Sequence, residues 1–342
     1  MKTKPADTMY CGVDPWKIEQ AHPKLNKTAF NHLLTFIRDR YTVHIKKDVL
    51  GLPKPWTDNP ILQQYKFTNI RREHDRQSKA YIQGIVKNPD LSLQAKMLNA
   101  FMFRAWNNWQ TVELFGGPFS VHEIKDLSAM EHAREICNHI SNTDPGHLWY
   151  NNAYIQGNTK AVWRLPEGKG LLKEVDQTGS EECIPLRMFY FGKYILDHRI
   201  IPQIVSSDDQ QDACIILRSV PGLSDFLVYQ MFVDLTYIPE FPFSENEFTM
   251  AGPGCKRGLA HIFTDADGLS PEEQLFWLRD NFDRLNAKFP EIKLNLNTLM
   301  IDLPEYDRCM NVMSLENCMC ELSKYMKVVQ GTGRPRMKYK GV

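Results

Sequence analysis

The sequence predicts a mainly α-helical protein, on three observations. Apolar residues recur at helical spacing in one stretch after another, alternating apolar–polar runs are few, and Gly/Pro clusters fall where helices should end. The 342 residues are 43% apolar and 24% charged. That composition belongs to a water-soluble globular chain with a core, and it excludes disorder, collagen and a disulfide scaffold. At roughly 150 residues per domain, the length allows one large domain or two closely packed ones.

The elements follow in order. Residues 26–47 place Phe30, Leu33, Leu34 and Ile37 at i, i+3, i+4 and i+7, the stripe of an amphipathic helix. GLPKPWTDNP at 51–60 holds three prolines and a glycine, and reads as a loop. A second helix is expected over about 68–86. A third fits 91–114, where Leu93, Met97, Phe101 and Ala105 repeat every four residues. Two more fit 131–140 and 184–199, and the Gly-, Lys- and Glu-rich stretch 163–182 reads as a surface loop or insertion. Helices return at 208–219, 225–237, 271–289 and 315–329. The 271–289 helix opens with Ser270 as N-cap, Pro271 at N1 and Glu272 and Glu273 in the first turn. The expected organisation is an N-terminal extension (1–25), a helical catalytic unit (26–330) and a flexible basic tail (331–342). The unit is read as one body or as two lobes, about 26–150 and 181–330.

With 41 basic and 41 acidic residues the chain has no net charge, so any nucleic-acid binding must come from a local basic patch. Eight cysteines are far too few for a disulfide framework. No apolar h-region follows the first residues, and no apolar run approaches the roughly 20 residues needed to span a bilayer. The expectation is a reducing, cytoplasmic setting without membrane contact. No GxxxxGK[ST] occurs, no GxGxxG follows a strand and no CxxC is present. Cys309, Cys318 and Cys320 have neither zinc-ribbon nor iron–sulfur spacing, and His132, Cys137 and His139 would point in different directions on one helix. No metal-ligand set is assigned from the sequence.

Three clusters could carry chemistry. In Leu217–Phe226 a helix stops at Pro221-Gly222 and another starts at Ser224. This resembles a helix–hairpin–helix of the LPGxG type, whose backbone N–H groups hold a DNA phosphate, with Ser224 replacing the second glycine. An ordinary tight helix corner is the other reading. In 251–258, Gly252, Gly254 and Gly258 would let a loop curl into an anion nest, with Lys256 and Arg257 adding charge. A flexible connector carrying two cations is the alternative. In 66–76, a helix from Thr68 would put Asn69, Arg72 and Arg76 on one face beside Asp75, two guanidinium forks suited to phosphate. A solvated, salt-bridged face is the usual fate of such a run.

These pieces fall into a familiar order: Pro55-Trp56-Thr57-Asp58; Tyr65-Lys66-Phe67-Thr68-Asn69; Arg72-Glu73-x-Asp75-Arg76; Asn152-Ala153-Tyr154; and Val220-Pro221-Gly222 with Gln230 and Asp234. Gly252-Pro253-Gly254-xx-Arg257-Gly258 and Glu316-Asn317-Cys318-xx-Glu321-xx-Lys324-Tyr325 complete the set. The series resembles the alpha-glutamyl/putrescinyl thymine pyrophosphorylases, better described as amino acid:DNA transferases, and the related helical domain of 5-hydroxymethyluracil DNA kinases. It extends over about residues 30–330. Lys66 stands where arginine is more usual, and Ser224 where the hairpin has glycine.

The resemblance implies a helix–hairpin–helix DNA-glycosylase-like fold and a bacteriophage-type activity in the host cytoplasm. An amino acid or amine would replace the pyrophosphate of 5-pyrophosphoryloxymethyluracil in DNA. The absence of a P-loop favours this transferase branch over the kinase branch. The implied partners are modified DNA, taken as a duplex with the target base flipped out, and a free amino acid or amine; Mg²⁺ is compatible, though no cofactor is firmly implied. Arg72, Arg76, Lys256 and Arg257 would receive the pyrophosphate, and Asp75, Asp234 and Glu321 are candidates for the base. A salt-bridged helix-terminal carboxylate is the other reading of Asp234. Lys66, Asn69, Pro221, Gly222 and Ser224 would contact DNA. Trp56, Phe67 and Tyr154 could stack on the base, while Lys324, with Tyr325, could take the amino acid's carboxylate.

Two other readings compete. The same fold supports a glycosylase acting on modified pyrimidines, although the window some twenty residues past the hairpin holds Glu245 and Glu247 rather than the aspartate such enzymes use. A non-catalytic DNA-binding module partnering a kinase is the third. Cys318 is expected to be a buried thiol, with no histidine nearby in sequence.

Overall fold

The structure, a computed structural model, describes residues 13–144, 146–150, 186–220 and 223–339. It is mainly helical, as the periodicity predicts. In chain order the helices are α1 (Pro15–Gln20), α2 (Lys27–His44), α3 (Pro60–Gln64), α4 (Arg76–Tyr81), α5 (Leu93–Trp106), α6 (Trp109–Leu114), α7 (Val121–Lys125) and α8 (Ser128–Thr143). They continue with α9 (Arg187–Asp197), α10 (Ile200–Val205), α11 (Gln210–Arg218), α12 (Asp225–Leu235), α13 (Pro253–Ile262), α14 (Pro271–Asn286), α15 (Leu296–Leu299) and α16 (Val312–Val329). Among the described residues the strands are β1 (Lys24–Leu25) and β2 (Phe263–Asp265), paired antiparallel with Leu25 opposite Phe263. No described helix is long and apolar enough to cross a membrane.

The chain forms two compact units, one of residues 76–244 and one of 12–75 with 245–342. The first is built on α5, whose residues from Ala95 to Trp106 are all buried. Trp106 meets Phe115 and Phe189 edge-on, at centroid distances of 5.7 and 5.6 Å. The helix expected over 91–114 is broken at Asn107, which adopts a left-handed conformation (φ 49°). Asparagine tolerates that region, and its N–H closes onto Phe103 O at 2.6 Å. Ser224 caps α12 by accepting from Leu227 N. Pro221 and Gly222 of the expected hairpin lie outside the described residues, as do the 163–182 insertion and Tyr154.

In the second unit α2, α13, α14 and α16 surround a core that includes Phe30, Leu33, Phe36, Leu278, Leu315 and Met319. Here 251–258 is not a curled loop. Gly252 is an N-cap, Pro253 takes N1 and the run continues as α13. The glycines serve packing: a Cβ on Gly258 would stand 2.0 Å from Met319 O, and one on Gly254 2.4 Å from Cys320 Sγ. They let α13 and α16 approach until backbone meets backbone. The tail is not free either. Tyr65 bridges Lys338, Lys66 N donates to Met337 O (3.0 Å) and Tyr339 N to Gln64 O (3.0 Å).

Candidate functional site

The helix expected from residue 68 begins only at Arg76. Residues 68–71 are not helical, with bends at Ile70 and Arg71, and Arg72–His74 form a single 3₁₀ turn. The backbone of 67–69 is bound by side chains instead of by its own next turn. Arg40 Nε donates to Phe67 O (3.2 Å) and Thr68 O (3.0 Å). Thr68 N donates to Glu321 Oε2 (3.3 Å), and Asn317 Nδ2 donates to Asn69 O (2.7 Å). Asn69 then closes the segment, since its N and Nδ2 both donate to Asp75 Oδ1 at 3.0 Å. Asn69, Arg72 and Arg76 therefore do not share a helical face, and Arg76 belongs to the other unit.

The turn nevertheless gathers most of the 66–76 and 316–325 motifs around one cluster. Arg72 is buried, 7% exposed, and its charge acts on both Asp75 and Glu316. Burial pushes the Asp75 carboxyl up, against the Asn69 hydrogen bonds and the Arg72 and Arg40 charges. Glu321 is buried and is also held by Lys324 Nζ, which stays partly exposed. Glu316 accepts from Gly252 N at 3.4 Å. Burial pushes its carboxyl up to about 7 despite Arg72. A buried carboxyl that titrates near neutrality beside a guanidinium can take or give a proton at working pH.

Beside it Arg71, 1% exposed, donates from Nε to Glu73 (2.7 Å) and from Nη2 to Glu245 (2.9 Å). Asn311 Nδ2 also donates to Glu245, whose carboxyl burial lifts to about 7. The next residue after Glu73 leads to a second polar group. The His74 ring stacks on His44 (centroids 4.2 Å apart, 11° between planes), and both Nε2 atoms face Asp302. Among the described residues these three could hold a metal ion.

The remaining candidates lie elsewhere. Asp234 is fully buried in the other unit, with both oxygens on Arg104. Lys256 and Arg257 are exposed early in α13, and Lys66 is exposed. Phe67 and Tyr325 are core residues, packed with Phe36 at 5.4 and 5.5 Å, and Tyr325 OH accepts from Asn59. Trp56 is half-buried, its Nε1 on Leu52 O (2.7 Å), with Lys54 over its ring and Tyr339 against its edge. Cys318 is buried, and its thiol is pushed up by that burial. A groove of about 880 Å³ lined by Ile18, His22, Glu247, Phe276, Trp277 and Arg284 contains none of the residues given a transferase role by sequence; Glu247, from the window past the hairpin, lies on its wall.

Sequence reasoning gave no role to Glu316, Asn317 or Arg40. For Glu316 a signal existed: with Glu321 it is an acid inside a helix that is otherwise mostly apolar over 312–322, and a carboxylate there has to be buried.

The family model for the helical domain of 5-hmdU DNA kinase matches residues 27–334, and the chain belongs to that family. A 5-hmdU DNA kinase of Bacillus phage SP10 is 22% identical over 319 residues. That stretch is 89% of this chain but 46% of the relative, so the chain spans about half the length of the curated relative it matches. No solved structure matches.

Proposed function

We propose that this protein is a DNA thymine-hypermodification transferase, which replaces the pyrophosphate of 5-pyrophosphoryloxymethyluracil with an amino acid or amine. The reading is carried by the gathering of Asn69, Arg72, Asp75, Glu316, Glu321 and Lys324 at one turn, with a carboxyl lifted to about 7 next to a buried arginine. A relative named for 5-hmdU in DNA supports the same thymine-derived base as target.

In the reaction the amine nitrogen bonds to the exocyclic methylene carbon while the bond from that carbon to the pyrophosphate oxygen breaks. The oxygen leaves with the electron pair, and the nitrogen gives up a proton. Arg72 supplies positive charge to the leaving group, and Glu316 takes the proton. Asp75 and Glu321 hold the turn that presents Arg72, and Lys324 pairs with the amino acid's carboxylate. Lys66, Lys256 and Arg257 are left for DNA phosphates. Reaching the base requires its extrusion from a duplex.

The test is a nucleoside digest read by mass spectrometry, after DNA containing 5-pyrophosphoryloxymethyluracil is incubated with the protein and mixed amino acids. A nucleoside heavier by one amino acid is expected, and Glu316→Gln should lower its rate about 10²- to 10⁴-fold. Free base or abasic sites would instead indicate a glycosylase. The match to under half of a kinase favours a second reading, a non-catalytic DNA-binding module that serves a kinase. It expects weaker DNA binding by Arg72→Ala and no covalent product under any condition.

A further inference from the structure

We propose that His44, His74 and Asp302 form a binding site for one divalent transition-metal ion of the zinc class, independent of the transferase chemistry above. The three residues are far apart in sequence and come from three elements: the last residue of α2, the end of the 3₁₀ turn and the segment after α15.

The distances are those of a ligand set. His44 Nε2 stands 2.9 Å and His74 Nε2 3.3 Å from the same oxygen, Asp302 Oδ2, and one ligand atom from each residue lies within 4.8 Å of the others. Nitrogen and oxygen ligands about 2.0–2.1 Å from a tetrahedral ion are themselves roughly 3.4 Å apart. An ion would be admitted among them once the stacked rings turn out of parallel, so that both Nε2 lone pairs converge on it. Two imidazole nitrogens and one carboxylate oxygen suit zinc and its neighbours, whereas Mg²⁺ and Ca²⁺ prefer all-oxygen sets.

The surroundings are those of a built site. His44 is 1% exposed. Its Nδ1 faces Asp48 Oδ2 at 3.2 Å, which would fix the tautomer with the Nε2 lone pair toward the ion. Tyr41 OH donates to Asp302 Oδ1 at 2.6 Å and leaves Oδ2 for the metal. Both ligand types thus have the outer partners that orient metal ligands. Three protein ligands leave a fourth position for water. Without metal, the same groups can close a hydrogen-bonded network in which His44 lies between Asp48 and Asp302. That network is the alternative to be eliminated.

An ion here would tie the turn carrying Arg72 to the end of α2, so its loss should loosen that turn. The experiment uses the full chain, stripped with EDTA and dialysed, then titrated with Zn²⁺ by calorimetry and with Co²⁺ by visible spectroscopy. The expected result is one equivalent bound per chain, the intense d–d bands of a tetrahedral Co²⁺ site, and a Zn²⁺-dependent rise in Tm. Asp302→Asn and His74→Gln should each abolish the Co²⁺ bands and the Tm rise, and Asp48→Asn should weaken binding about 10- to 100-fold. Circular dichroism of the metal-free variants checks folding, and if the ligand variants unfold, Asp48→Asn alone decides. Failure of the wild-type chain to bind stoichiometrically would overturn the site. So would binding that is the same in the folded variants, because it would then reside on other histidines.

Discussion

Each unit buries an arginine against a carboxylate, and the two arrangements differ. In the first, Arg104 and Asp234 are almost wholly inside, and the guanidinium reaches both carboxylate oxygens. Tyr81 OH adds a hydrogen bond to the Asp234 carbonyl at 3.0 Å. In the second, Arg72 influences two carboxyls at once, Asp75 and Glu316, and burial still pushes both up. The closed pair has its lone pairs committed and serves the fold. The second cluster keeps a carboxyl near neutral pKa, which costs stability and is the usual mark of a group kept for proton transfer.

The contrast can be broken experimentally. Arg104→Met leaves Asp234 as an uncompensated buried charge and should cost about 3–5 kcal/mol in urea unfolding. A cost below about 1 kcal/mol would show that the pair is not closed.

Glu316 gives a pH signature. Its folded pKa is about 7 against an ordinary 4.5, so the folded state holds its proton more tightly than the unfolded chain. Its stabilising contribution is complete below pH 4.5 and is lost as pH rises through 7, by up to roughly 3 kcal/mol. Glu245, also lifted to about 7, adds to the same trend. Glu316→Gln should flatten much of this slope in unfolding curves collected across that range. A slope unchanged by the substitution would remove Glu316 from the comparison.

Gly258→Ala tests whether the second cluster depends on backbone approach. The added methyl would meet Met319 O at 2.0 Å, forcing α13 from α16 at about 1–3 kcal/mol. It should also perturb Glu316, which accepts from Gly252 N, so the pH slope should change along with Tm. The smallest effect belongs to Arg218→Ala. It removes an ion pair with Asp225 (2.7 Å) that is more than one-third exposed at both ends, and it should shift stability by less than about 1 kcal/mol. A larger loss would mean that exposure does not separate the pairs as argued.

Much of the fold is legible in the sequence because it is local. The stripe Phe30, Leu33, Leu34, Ile37 gives α2, and Ser270 with Glu273 gives the capping box of α14. The 66–76 and 316–325 motifs also identify residues that do come together. What is misread has a specific cause. The helix expected at residue 68 loses to side chains of α2 and α16 that take the backbone groups of 67–69. The glycines of 251–258 read as flexibility because the helix they must pass, α16, is about sixty residues away in sequence. The tail reads as free because the segment it bridges, 64–66, is some 270 residues upstream.

The sequence by itself determines that the chain is helical, where most helices start and stop, and which charged motifs mark it, since those signals lie within one or two turns of chain. Tertiary structure alone decides what the charges do. Asp234 becomes a closed pair, Glu316 a near-neutral carboxyl, and His44, His74 and Asp302 a convergent donor set. Burial and long-range neighbours set the energy of a charge, and neither is written in the residues next to it.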